Sequence, residues 1–172
     1  KKDIFEGGYG RKIFELINDA YEPLFGFSRM TQKQIDAYVK MYVPVRDLRM
    51  VTLVENDEGE LVAVGISMPS LSKALQKAKG KLLPFGWWHL LKALFWKRPE
   101  ALDLLLVAVR PDYQGKGVNA LLFTDLIPIY KQLGFVYAES NPELEQNDKV
   151  QSQWQYFKTE QHKRRRCYRK DI

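Results

Sequence analysis

Gly115 and Gly117 stand one residue apart, between an apolar run and a helix-forming stretch. Residues 104–118 read Leu-Leu-Leu-Val-Ala-Val-Arg-Pro-Asp-Tyr-Gln-Gly-Lys-Gly-Val. Glycine has no Cβ, so backbone at these positions can approach a ligand closely. The first N–H groups of a helix have no partner within it, and with the helix dipole they favour an anion. Lys116 adds charge, so the chemistry this segment suits is phosphate binding. A plain turn would use the same glycines. Two phosphate-binding fingerprints are absent: no Gly-Lys-Ser/Thr follows four spacer residues, and the third glycine of the dinucleotide motif is missing.

Two carboxylates sit where they could move a proton. Asp103 interrupts the apolar run Ala101–Val109. A buried carboxyl is pushed up toward the value a general base needs, although an Asp at the exposed start of a strand would read the same way. Glu139 is the second candidate; a structural partner for nearby arginines is its other reading. His89, His162 and Cys167 are too scattered for a zinc site, and no Ser-His-Asp or Cys-His set can be assembled, so no metal is expected. Cys167 reads as an unreactive strand residue.

These residues must be held by a larger frame. Lys12–Glu22 has helical apolar spacing. Thr31 and Gln34 form a capping-box pattern that opens a second helix running to about Val43, before Pro44. Leu48–Glu55 and Leu61–Met68 read as a hairpin about the turn Asn56–Gly59. Residues 70–98 form an insertion, with a basic helix over Ser72–Lys79 and an aromatic one over Trp87–Trp96. Ala101–Val109 reads as a strand buried on both faces. Gly117–Leu133 is predicted helical and stopped by Gly134. Val136–Ser140 is predicted as a strand, Glu143–Phe157 as a helix and Arg164–Lys170 as a last strand. The expected fold class is a mixed α/β domain, with one central sheet flanked by helices and a strand–glycine turn–helix–strand unit inside it.

The chain has 172 residues, 45% of them apolar and 28% charged, which fits one soluble globular domain spanning 1–172. It does not open on Met, so it reads as a piece of a longer chain, the C-terminal part of it. Lys1–Gly10 lacks the apolar run of a signal peptide. One cysteine excludes an internal disulfide and suits a reducing, cytoplasmic setting. No apolar run approaches the roughly 18 residues a membrane helix needs. The net charge of +6 is patched: seven cations and no acid lie in Ser72–Arg98, and seven cations against two acids lie from Lys158 on. Such patches suit an anionic ligand or surface. No nucleic-acid motif accompanies them.

Val109-Arg-Pro-Asp-Tyr-Gln-Gly-Lys-Gly-Val118 resembles motif A of the GNAT acetyltransferases, in which Gln or Arg is followed by two residues, Gly, one residue, and Gly or Ala. Gln114 and Gly117 match, while Asn119 departs from the small residue. The element order also follows the family, apart from its first and seventh strands. The insertion beginning near Pro69-Ser-Leu-Ser72 resembles a bacterial branch with extra residues after the third strand. The resemblance implies a GNAT-like fold and acetyl transfer from acetyl-CoA to an amine, on a small molecule or a peptide. Val107, Val109, Gln114, Gly115, Lys116, Gly117, Val118, Asn119 and Asn147 would then hold CoA. It also favours Asp103 as base, because some members keep a catalytic Glu eleven residues before the first motif position. The family's acid is a Tyr seven residues after the Asn; here that position is Trp154, and Tyr156 lies two residues on. A catalytically silent acyl-CoA-binding or regulatory domain is the alternative these departures leave open. The insertion is expected to shape or cover the acceptor site; its other readings are an interfacial helix flanked by Lys, or a helix packed on the sheet, an upstream domain or a second copy.

Overall fold

The computed structural model describes residues 8–42, 47–96, 99–168 and 170. The end of the second helix near Val43, and Arg169 in the expected last strand, lie outside them. The chain forms two compact units, one reaching to Glu139 and one beginning at Ser140.

In the first unit, helix α1 (Tyr9–Tyr21) and helix α2 (Gln32–Tyr42) precede strands β1 (Val51–Glu55) and β2 (Leu61–Pro69). Short helices α3 (Ser72–Lys77) and α4 (Gly86–Leu91) follow, then strand β3 (Ala101–Val109), the long helix α5 (Val118–Gln132) and strand β4 (Tyr137–Ser140). The four strands make one sheet in chain order. β1, β2 and β3 pair antiparallel. β3 reaches β4 through α5, the kind of helical crossover that parallel neighbours use.

The sheet is covered on both faces. Ile13, Leu16, Ile17 and Ala20 of α1 pack on Leu61, Val64 and Ala108. On the other face Leu122 of α5 packs on Val62 and Ala63, while Leu126 and Tyr130 meet Leu102 and Met50. Gly65 lets α5 lie close: a Cβ there would come within 3.0 Å of Leu126 Cδ1. Polar groups inside this layer are paired. Tyr130 donates to Ser67 Oγ at 2.8 Å, Ser67 donates to the Met50 carbonyl at 3.0 Å, and Thr52 donates to Asp125.

Several elements differ from expectation for identifiable reasons. The first strand begins at Val51, because Asp47 accepts the Arg49 N–H and holds Leu48–Met50 as a 3-10 turn. The aromatic helix is a short α-helix followed by a π-turn, Lys92–Trp96. β3 is not buried on both faces; Asp103–Val107 are half-exposed. In the second unit Asn147 caps the Val150 N–H, so the helix starts late, as α6 (Asp148–Gln151) running into a 3-10 turn, Ser152–Tyr156. Arg164–Tyr168 and Lys170 form no strand. Arg164 and Arg166 instead reach Glu145 at 3.8 and 3.6 Å, and Cys167 is exposed rather than placed in a strand.

Gly86 locks the insertion. A Cβ there would stand 1.7 Å from the Lys81 carbonyl oxygen, a backbone atom that cannot simply step aside. Gly86→Ala is therefore expected to destabilise the segment by about 1–3 kcal/mol, the scale of forced overpacking. Tryptophan fluorescence during urea unfolding reads this directly, since Trp87 and Trp88 adjoin the site.

Candidate functional site

The glycine loop is built as its sequence suggests. Pro111–Tyr113 make one 3-10 turn after β3. Gln114 Nε2 then donates to the Val109 carbonyl at 3.1 Å and ties the loop to the strand end. Gly115 and Gly117 have φ of 75° and 79°, in the left-handed region that favours glycine. Gly117 caps α5, and Val118 is buried beneath the loop against Leu122. Gly115, Lys116 and Gly117 are exposed, and nothing lies within 4 Å of where a Cβ on either glycine would stand. The N–H groups of Gly115, Lys116, Gly117 and Val118 lie in the turn Gln114–Gly117 and at the first residue of α5. The loop thus brings the positive end of a 15-residue helix to an open surface. Lys116 leans over the Tyr113 ring at 5.1 Å, and Asn119, half-buried, is the second residue of the helix.

A charge network sets the loop's entry angle. Arg110 bonds Asp112 at 2.8 and 3.0 Å and Glu60 at 2.9 Å, while its N–H donates to the Val62 carbonyl at 2.8 Å. Its guanidinium also covers Tyr113 at 4.8 Å. The hydrogen bonds from Arg110 hold the Glu60 and Asp112 carboxyls below their ordinary values, with Asn56 adding to the effect on Glu60. A carboxyl lowered in the folded state stabilises above its unfolded value of about 4 and stops doing so as pH falls through the lowered value. The urea midpoint of Arg110→Gln is accordingly expected to fall below wild type at neutral pH, with the gap closing as pH falls below the ordinary carboxylate range. Because these groups are exposed, the gap should also narrow in high salt.

β3 carries the second feature. The register steps from Ile66↔Leu106 to Ser67↔Leu104, so it skips Leu105 and the strand bulges. Leu102 and Leu104 face α5, whereas Leu106 and Ala108 face α1, so the even-numbered side chains change sides at the bulge. Asp103, between Leu102 and Leu104, points away from α5. It is half-buried rather than buried. β4 starts beside β3: the N–H groups of Val136 and Tyr137 both donate to the Glu100 carbonyl, at 2.8 and 3.3 Å. Asp103 and Glu139 thus lie on neighbouring strands of the sheet. Val107 and Val109 lie further along β3 and pack toward α5. Sequence reasoning missed Tyr21, which donates to the Val107 carbonyl at 3.0 Å from the end of α1. Burial pushes its phenol above the ordinary value, against the pull of that bond, so it keeps its proton as a donor. A bond between residues 86 positions apart leaves no local mark on the sequence.

Asn147 belongs to the second unit, where its side chain caps α6. In that unit Trp154 Nε1 bonds both Glu143 carboxylate oxygens at 2.9 Å. No group of His, Cys, Asp and Glu among the described residues could hold a metal ion, and no described helix is long and apolar enough to cross a membrane.

No family model matches the chain. It is 35% identical over 102 residues to a protein of Caulobacter vibrioides named bacterial ceramide synthase, a match covering 59% of this chain and 26% of that protein. It is 26% identical over 165 residues to Protein YghO of Escherichia coli, covering 92% of this chain and 41% of that protein. The chain thus spans well under half the length of these curated relatives. Among solved structures, an aminoglycoside acetyltransferase from an uncultured soil metagenomic sample, in complex with sisomicin, superposes with a TM-score of 0.57 at 12% identity, over 95% of this chain and 88% of that one. The ribosomal-protein-alanine N-acetyltransferase of Brucella melitensis gives 0.54 at 14%, over 93% and 92%. AAC(6')-Iy bound to a CoA bisubstrate analogue gives 0.54 at 14%, over 94% of both chains. The fold is that of the GNAT acetyltransferases. Within the GNAT fold of this chain, the glycine loop closes one end of β3, and the bulge, Asp103 and Glu139 lie toward the other.

Proposed function

We propose that the chain is an N-acyltransferase domain that takes an acyl group from acyl-CoA, acetyl-CoA in the simplest case, and passes it to an amine. The observation that carries this reading is the exposed loop Gly115–Gly117, open around both glycines, which leads into the N-terminus of α5 at the end of a half-exposed strand. A pyrophosphate would sit there, with Gln114 holding the loop and Lys116 adding charge. Val107 and Val109 would line the path of the pantetheine arm. The acyl carbon would then lie near the bulge, and the amine would arrive from the Asp103 end. Asp103, or Glu139 as the second candidate, would take the proton from the attacking nitrogen. The new C–N bond forms as the C–S bond breaks, and the CoA thiolate leaves to be protonated. The relative named for ceramide, an N-acylated long-chain amino alcohol, supports a lipid-like amine as acceptor.

Trp154 in place of an acidic Tyr, and Asn119 in place of a small residue, favour a second reading as a silent acyl-CoA-binding domain. Thiol release from acetyl-CoA and longer acyl-CoAs, measured over a panel of small, peptide and long-chain amines, separates the two. The enzyme reading expects release that depends on the amine. CoA binding without release on any amine supports the silent domain, and absence of CoA binding contradicts both.

A further inference from the structure

The segment between β2 and β3 leaves its large apolar side chains in the open. Leu82, Leu83, Phe85, Trp88, Phe95 and Trp96 are between 46% and 78% exposed. The rings are organised: Trp88 lies 5.9 Å from Trp87 and 5.5 Å from Trp96, and Phe95 lies 6.4 Å from Trp96. The Trp87 indole N–H is already taken by the Pro84 carbonyl at 2.9 Å. The same segment carries Lys73, Lys77, Lys79, Lys81 and Lys92, all exposed, with no acid between Ser72 and Arg98. Glu100, just outside the segment, reaches Lys73 at 3.5 Å.

An exposed apolar patch of this kind marks an interaction surface. Its composition selects the partner. Protein interfaces are depleted of Lys, whereas clustered Trp, Phe and Leu set among Lys are the makeup of elements that lie in a lipid headgroup layer. A segment whose own charged residues are all cations is also complementary to an anionic bilayer.

We propose that residues 72–96 dock on an anionic membrane surface, with the rings and leucines at the headgroup–acyl boundary and the lysines against lipid phosphates. The segment leaves β2 at Pro69 and rejoins the sheet at Ala101, the end of β3 that carries Asp103. If the acyltransfer reading above holds, the bilayer lies on the acceptor side of the site.

The test is co-sedimentation of the purified protein with phosphatidylcholine vesicles, with and without about one third phosphatidylglycerol. Binding is expected to the anionic vesicles, to weaken as salt rises, and to be weak on phosphatidylcholine alone. Phe85→Ser/Phe95→Ser/Trp96→Ser and Lys77→Gln/Lys79→Gln/Lys81→Gln should each lower it by about tenfold or more. These side chains are exposed, so both variants should keep wild-type melting and CoA affinity. No binding to anionic vesicles overturns the proposal, as does binding that neither variant changes. Concentration-dependent self-association lost in the aromatic variant, without vesicle binding, overturns it in favour of a protein partner. Vesicle binding by a protein that fails to bind CoA leaves this proposal standing and removes the acyl-CoA reading alone.

Discussion

Gly117→Asp is expected to weaken CoA binding by about a hundredfold or more while leaving the ligand-free protein folded. The two effects separate because of where Gly117 sits. Its φ of 79° is strained for most residues, but Asp is among those that tolerate the left-handed region and is a good helix N-cap. The space where its Cβ would go is open. The carboxylate would nevertheless turn toward the first N–H groups of α5 and place negative charge where the pyrophosphate belongs. Losing two charge-assisted hydrogen bonds at roughly 1.5–3 kcal/mol each already exceeds a hundredfold. Calorimetric titration with CoA, beside a melting curve, reads both quantities. Unchanged affinity in the folded variant would contradict the site.

A comparable loss is expected in catalysis from Asp103→Asn. A positioned general base contributes about 10²–10⁴ in rate, so turnover should fall by roughly a hundredfold or more. CoA affinity should hold, because at about 3.3 Å per residue Asp103 lies roughly 20 Å along β3 from the loop. Glu139→Gln is the matched comparison, since Glu139 is the carboxylate on the adjacent strand. A large effect from Glu139→Gln and none from Asp103→Asn would reverse the assignment.

The parts of this account that were legible in the sequence are those with a local cause. The apolar spacing of Ile13, Leu16 and Ile17 gives α1 its buried face, and Asn56–Gly59 makes the hairpin turn, with the Asn56 side chain accepting the N–H groups of Glu58 and Glu60. The Thr31–Gln34 cap forms as its spacing suggests. Gly134, at φ 81°, stops α5. What was hidden depends on distant partners. Leu104, Leu105 and Leu106 are identical residues, so nothing in them marks the bulge. The apolar run of β3 reads as fully buried, yet its middle is half-exposed. The aromatic insertion reads as a helix that must bury its rings, yet Trp88, Phe95 and Trp96 are 46–68% exposed. Arg164–Tyr168 has strand-like residues but forms no strand among the described residues, since strand propensity alone does not decide the backbone.

The most direct test of the central claim follows the backbone amides of the loop by heteronuclear NMR as CoA is added. The account predicts saturable shifts largest at Gly115, Lys116, Gly117 and Val118, reproduced by acetyl-CoA and absent in Gly117→Asp. Saturable binding that leaves these four amides unmoved, or no binding at all, would contradict it.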